Sequence, residues 1–264
     1  MRILDPVPSK KIPPIWTCPA PLPLGKIDHR RATDIYSKLL DFTGDGYSPS
    51  TLAGRELQVA LMLLEDDEGL GAADNSFWHR KCQALLVRAA IEPLACSFWQ
   101  RLAAFDIDEK LALVLASTLA GRRLVYRKGP ATGRAAKGDV SFEAMNVAPE
   151  WLAKITSAAR KPELFSALPI FAFAQTIMAH PFSDGNGRFA RLMVHAGLAR
   201  SAGLPGPQIA LAPAFYRRAE ALGAALTELS ETGCWLPFSD VFLSTLEEAA
   251  MLTRALLAGG RRSD

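Results

Sequence analysis

The chain has 264 residues, 49% of them hydrophobic, with 30 Lys and Arg against 27 Asp and Glu. That is enough apolar material for one large domain, or a domain with a substantial extension, and the charge balance is too even to point to a nucleic-acid partner. Four widely spaced cysteines, Cys18, Cys82, Cys96 and Cys234, form no C-x-x-C pair, which argues against a zinc or redox motif and fits a reducing compartment.

The N-terminus, "MRILDPVPSKKIPP", is interrupted by Pro before a signal-peptide core can form, and no apolar run is expected to span a bilayer. The expectation is a cytoplasmic protein with no membrane and no nucleic acid among its partners. A secreted effector exported without a cleaved signal has the same appearance.

Residues 1–25 form a Pro-rich segment, with seven prolines between positions 5 and 25, and are expected to be extended along a surface. Residues 26–109 read as a helical N-terminal extension. Its first helix places Ile35, Leu39 and Phe42 on one stripe. The turn "TGDGYSPS" ends it, with Ser50 or Thr51 available to cap the next helix. Further helices are expected over 76–104 and 108–121, with breaks at Pro93 and at Phe105-Asp106.

Residues 121–148 differ in kind. "RRLVYRK" and "GDVSFEA" are strand-like runs joined by "GPATGRAAK", the pattern of a β-hairpin whose loop is Gly-rich and basic. Pro149 marks a helix start. The stretch 162–179, "PELFSALPIFAFAQTIMA", is apolar nearly all round and predicts a buried central helix, kinked or split at Pro169. Helical stretches resume with "RFARLMVHAGLARSAG" and run to a C-terminal helix end and tail at 251–264.

Between two of these apolar stretches lies "HPFSDGNGRFAR", residues 180–191. A helix beginning near Asn186 offers backbone N–H groups without intrahelical partners and the positive end of its dipole. Gly185 and Gly187 permit a tight turn and close approach of an anion, so the segment is a candidate phosphate nest. Arg188 is adjacent, and Arg191 lies one turn further on roughly the same face. Asp184 is out of place in an anion nest unless it holds Mg²⁺ that bridges phosphate oxygens. His180 is a candidate general base, and Phe182 a candidate anchor for the loop. D-G-N-G alone is ordinary turn chemistry. Its fixed spacing to His180, Phe182, Arg188 and Arg191 is what points to phosphoryl or nucleotidyl transfer onto a hydroxyl.

The twelve residues resemble the signature of the Fic family, H-P-F-x-[D/E]-G-N-G-R-x-x-R, at every specified position. The hairpin and apolar helix before the motif, and "WLPFSDVFLSTLEEA" after it, fall in Fic-like order, so the likeness covers residues 110–250. The resemblance implies a mainly α fold, a Fic-type helical bundle with a short β-hairpin flap. It implies a protein adenylyltransferase that moves AMP from ATP to a Ser, Thr or Tyr hydroxyl of a target protein and releases pyrophosphate. In that reading His180 deprotonates the hydroxyl, Asp184 coordinates Mg²⁺, Gly185, Asn186 and Gly187 form the anion hole, and Arg188 and Arg191 bind phosphates. The hairpin at 123–142 is the flap, along which a target segment pairs as an added strand.

Other readings stay open. The Doc-like branch of the family phosphorylates its target and typically carries Lys in place of the second nest glycine, where this chain has Gly187. UMP or phosphocholine transfer uses the same motif. A catalytically inactive Fic scaffold that binds partner proteins is the alternative from another class, against which the intact His180 and Asp184 count. Many Fic sequences place a Tyr pair near the adenine, and the comparable positions here are Leu222 and Gly223, which leaves the nucleobase open.

Many Fic proteins also carry an inhibitory helix of pattern [S/T]-x-x-x-E-[G/N], whose Glu pairs with the second motif Arg, here Arg191. Thr227 to Glu231 is followed by Thr232, Ser244 to Glu248 by Ala249, and "PSTLAGRE" has Ala53 where Glu is expected. Each Glu is expected to be a solvated charge, built-in inhibition to be weak or absent, and control to come from a separate inhibitory protein. His29 and His79 are expected on the surface, His195 packed or partly exposed in its helix, and Trp78, Trp99 and Trp151 in packing roles.

Overall fold

Leu168–Ala179 are apolar on every side, and the fold is built around them. The computed structural model describes residues 15–16, 27–44, 101–120, 123–135, 138–142, 148–203, 209 and 211–260. In chain order the elements are strand β1 (Ile15–Trp16), helices α1 (His29–Gly44) and α2 (Glu109–Ala120), strands β2 (Ala131–Ala135) and β3 (Gly138–Phe142), and helix α3 (Ala148–Ala158). A 3-10 helix (Pro162–Ala167) leads into α4 (Leu168–Ala179), α5 (Asn186–Ala202), α6 (Leu211–Arg217), α7 (Ala219–Thr232) and α8 (Trp235–Gly260). The architecture is mainly α with one small sheet.

Within α4 every residue but Ile177 is buried. Pro169 sits in the first turn of α4, where its missing N–H would have had no intrahelical partner. The sequence at 162–179 therefore splits into a 3-10 piece and an α-helix at this point. Taken together, Pro162–Ala179 is long and apolar enough for a membrane span, which corrects the expectation that no stretch is, but 67% of it is buried inside the fold. It serves as the protein core.

Helix α5 packs along α4, and Gly197 sets their spacing. A Cβ at Gly197 would lie 2.8 Å from Pro169 Cα and 2.9 Å from Pro169 N. Gly→Ala in an open helix interior gains about 1 kcal/mol. Here the added methyl would meet backbone, and overpacking of that kind costs about 1–3 kcal/mol. Gly197→Ala is therefore expected to lower the urea midpoint with an unchanged m-value, and a rise would mean the helices part easily.

Around α4 lie two aromatic groups. Phe173 packs with Phe215, Phe238 and Phe242, and Trp235 joins Phe171 to Phe238. On the other side Trp151 stands edge-on to both Phe182 and Phe189. Helix α1 buries Ala32, Ile35, Tyr36 and Leu39, while Phe42 lies outside the described side chains. Its Arg31 reaches α8, donating to Ser244 Oγ (2.8 Å) and Glu247 Oε2 (3.0 Å) and pairing with Asp240.

The sheet differs from expectation. The antiparallel hairpin is β2 with β3, in register Ala131↔Phe142 to Ala135↔Gly138. Its first strand is "ATGRA", which the sequence suggested as loop. Gly133 is what makes it a strand: a Cβ there would come within 2.8 Å of Phe142 Cε2, so glycine makes room for that ring. The run Leu124–Arg127 is extended, but it pairs with the 180–191 motif instead. Tyr126 bridges Phe182, Arg127 N–H donates to Pro181 O at 2.8 Å, and Ser183 N–H donates to Val125 O at 3.0 Å.

A third strand completes the sheet. β1, from the Pro-rich segment, pairs parallel with β3, Trp16 opposite Phe142, giving the order β1-β3-β2. Trp16 is buried, and its indole N–H donates to Thr227 Oγ1 at 3.1 Å. The rest of 1–25, the expected helix over 76–104 up to residue 100, and His79, Trp78 and Trp99 lie outside the described residues. His29, expected on the surface, is partly covered and lies 2.7 Å from Ser166 Oγ through Nδ1. His195 and Trp151 are buried.

Candidate active site

His180 follows the last residue of α4 directly and adopts a left-handed conformation, φ 45° and ψ 55°. That position in a helix terminus usually holds Gly, because a Cβ is crowded there by about 1–2 kcal/mol. Pro181 adds a second conflict, since a residue before Pro favours extended backbone. An uncommon conformation on a titratable residue is kept only when neighbours over-determine it.

Arg127 is the principal neighbour. Its Nε donates to His180 O at 2.9 Å, its Nη2 to Ala179 O at 3.2 Å, and its Nη1 to Gly129 O. Its backbone N–H holds Pro181 O. The guanidinium therefore supplies donors to carbonyls at the C-terminus of α4 that no intrahelical N–H can reach. Burial lowers its pKa.

The His180 ring is covered by Phe142 of β3. The two rings stack with centroids 3.9 Å apart and planes 19° from parallel. Nδ1 is buried without a hydrogen-bond partner among the described residues. Burial, and secondly the Arg127 charge, push the His180 pKa down to about 4. The Ile177 backbone and the Asp184 carboxylate pull the other way and lose. The imidazole is thus neutral at physiological pH and available to accept a proton.

The sign of this shift sets a pH window. A His with a folded pKa below its unfolded value of about 6.5 gives stability that is present above that pH and is lost as pH falls through the folded value. Proton NMR of the nucleotide-free protein is expected to show the His180 ring titrating near pH 4. A midpoint at the ordinary His value would show that water reaches the ring.

After His180 the loop is anchored by Phe182, fully buried against Tyr126, Trp151 and Phe189. Asn186 locks it from the other side: its Oδ1 accepts from Phe182 N–H and its Nδ2 donates to Phe182 O, both at 2.9 Å. The Asn186 side chain is therefore occupied in holding the loop. Only its backbone N–H is placed to contribute to an anion hole.

Gly185, at φ 72°, is the N-cap residue of α5 and provides no side-chain cap. Asp184 Oδ1 accepts from Gly185 N–H at 2.6 Å. Gly187 and Arg191 are brought together, since a Cβ at Gly187 would lie 3.5 Å from Arg191 Nη1. Arg188 is turned toward α2, its Nη1 donating to Leu119 O at 3.3 Å. The first turn of α5 thus keeps N–H groups outside the helical ladder, beside Arg191.

Among the described residues no group of three His, Cys, Asp or Glu is arranged to hold a metal. Asp184 fits Mg²⁺ only in the way that ion usually binds nucleotides, through one or two carboxylates together with phosphate oxygens and water.

Neither candidate inhibitory glutamate reaches toward Arg191 in an ion pair. Glu248 pairs with Arg218 (2.8 Å) and Arg217 (3.6 Å), and Glu231 is exposed at the end of α7. Two residues of the site carried no sequence signal. Arg127 is one of several basic residues in its run, and Phe142 is one apolar residue of a strand.

No curated protein matches the sequence. The chain resembles the solved structure of a Fic family protein from Desulfovibrio desulfuricans G20, with 16% identity and a TM-score of 0.57 over 94% of this chain and 79% of that one. It also matches a Fic domain containing signaling protein from Bacteroides thetaiotaomicron VPI-5482, at 16% identity and a TM-score of 0.49, over 87% of this chain and 97% of that one. The family model for the Fic/DOC family matches residues 108–198, a span that contains α2, the hairpin, α4 and the whole motif. That segment, residues 108–198, matches the Fic/DOC family, whose members are generally transferases.

Proposed function

We propose that this protein transfers AMP from ATP to a Ser, Thr or Tyr hydroxyl of a target protein. The observation that supports it best is the buried, neutral His180 imidazole at the head of the loop that opens helix α5. A neutral base next to a helix N-terminus suits attack by a hydroxyl on a phosphate, because proton removal and charge stabilisation are needed side by side.

In this reading the hydroxyl oxygen bonds to the α-phosphorus, the bond from that phosphorus to the bridging oxygen breaks, and pyrophosphate leaves. The hydroxyl proton goes to His180. Backbone N–H groups of Asn186 and Gly187, with Arg191, hold phosphate oxygens, and the Gly185 N–H joins them on leaving Asp184 Oδ1. Arg188 joins them on leaving Leu119 O. Asp184 would hold the Mg²⁺ that accompanies ATP, which would supply charge neutralisation on the phosphates. The protein's own contribution is positioning and preorganised charge.

Gly187 supports AMP transfer over the Doc-like reaction, since Arg191 lies against the face that a side chain there would fill. The target is proposed to bind along the hairpin, and a separate protein to supply inhibition.

Incubation with ATP labelled at the α- or the γ-phosphate, with the protein's own hydroxyls and a cell lysate as acceptors, separates the readings. Label from the α-position alone on protein is expected. Label from the γ-position alone would establish phosphotransfer, and label from neither, with no ATP turnover, would leave a binding scaffold.

A further inference from the structure

We propose that Phe142, on the flap strand β3, is the positioning residue that holds the His180 imidazole in its working orientation. This rests on the reading of His180 as the general base. A base needs a third group to fix its ring, and here the plane of the ring is set by an aromatic face. Nδ1 has no hydrogen-bond partner among the described residues, so no hydrogen bond at that atom fixes the ring. The stack with Phe142, at 3.9 Å and 19°, fixes its plane. Such a stack covers one face and leaves both nitrogens, which lie in the ring plane, directed away from Phe142.

Phe142 is itself held. Trp16 stands edge-on to it, centroids 5.8 Å apart at 87°, and the Arg127 guanidinium carbon lies 6.0 Å from its ring centre. The β2 strand passes beside it at Gly133, where an added Cβ would lie 2.8 Å from Phe142 Cε2 and push the ring. Strand β1, Arg127 and strand β2 thus converge on one buried phenyl ring. The arrangement links flap geometry to the base: a flap that shifts carries Phe142 off the ring.

The test uses four full-length variants: Phe142→Ala, Gly133→Ala, the double variant, and His180→Ala. The rate of self-labelling with α-labelled ATP is measured beside Mg²⁺–ATP affinity by calorimetry. Phe142→Ala is expected to slow labelling by about 10²-fold, the scale of a small misplacement at the reacting centre, with ATP affinity unchanged. Gly133→Ala, which leaves Phe142 in the sequence but pushes its ring, is expected to slow labelling too. In the Phe142→Ala background it should add almost nothing, because the ring it displaces is gone. Proton NMR supplies a readout independent of activity: His180 ring protons shifted upfield in the wild type and released in each of the three flap variants.

Wild-type labelling in Phe142→Ala, or equal losses of labelling and ATP affinity, would overturn the inference while His180→Ala remained inactive. Additive effects of the two flap substitutions would overturn it as well. Labelling that survives in His180→Ala would overturn the reading of the base itself.

Discussion

His180→Ala is expected to abolish detectable transfer, a loss of about 10²–10⁴-fold from removal of the proposed general base alone, and to leave Mg²⁺–ATP affinity close to wild type. The two outcomes separate because the groups are separate. The imidazole lies at the end of α4, whereas the N–H groups and Arg191 proposed to receive phosphates belong to the start of α5. Backbone strain at the position should change little, because alanine in the left-handed conformation has the same crowded Cβ as histidine, so any loss of stability reports the missing stack on Phe142. Labelled transfer and calorimetry on one preparation check both points. Transfer at the wild-type rate would remove His180 from the chemistry.

Arg127→Ala has the second-largest expected effect, and it falls on stability and transfer together. The substitution strips donors from His180 O, Ala179 O and Gly129 O. Hydrogen bonds from a charged donor contribute about 1.5–3 kcal/mol each, but these are partly solvent-accessible and share one side chain, so a total of roughly 2–3 kcal/mol is expected. The released His180 backbone would relax toward the extended conformation that Pro181 favours. A displacement of that size at the base is worth about 10²-fold in rate. Arg127→Lys should recover little, since a single ammonium does not reproduce the planar fork that reaches three carbonyls. Thermal denaturation and labelled transfer measure the pair, and a fully active, destabilised Arg127→Ala protein would separate the clamp from catalysis.

The motif was legible in the sequence because its chemistry is contiguous. Twelve neighbouring residues carry the candidate base, the candidate metal ligand and the helix start, and no tertiary knowledge is needed to read them. The central helix was legible for a similar reason, its apolar character being unbroken over α4. The sheet was not. "ATGRA" has neither aromatic nor aliphatic β-branched residues, and it becomes a strand only because Gly133 accommodates Phe142 from the facing strand. Leu124–Arg127, expected as part of a hairpin strand, is extended, but its partner is the motif loop, more than fifty residues away. Pairing of Ile15–Trp16 with β3 spans a still longer separation. Arg127 and Phe142 act on His180 through contacts that sequence proximity does not encode, and Asn186 spends on Phe182 the polar groups that its motif position suggested for a ligand.

The left-handed backbone at residue 180 has an evolutionary and engineering corollary. Of the twenty amino acids, glycine suits that conformation best and is the one that a selection for thermal stability would install there, while histidine is the one the proposed transfer asks for. The stability optimum and the activity optimum of this single position therefore lie on different residues. A library sorted only for a well-folded Fic domain would drift toward inactive proteins at residue 180, with the rest of the motif intact.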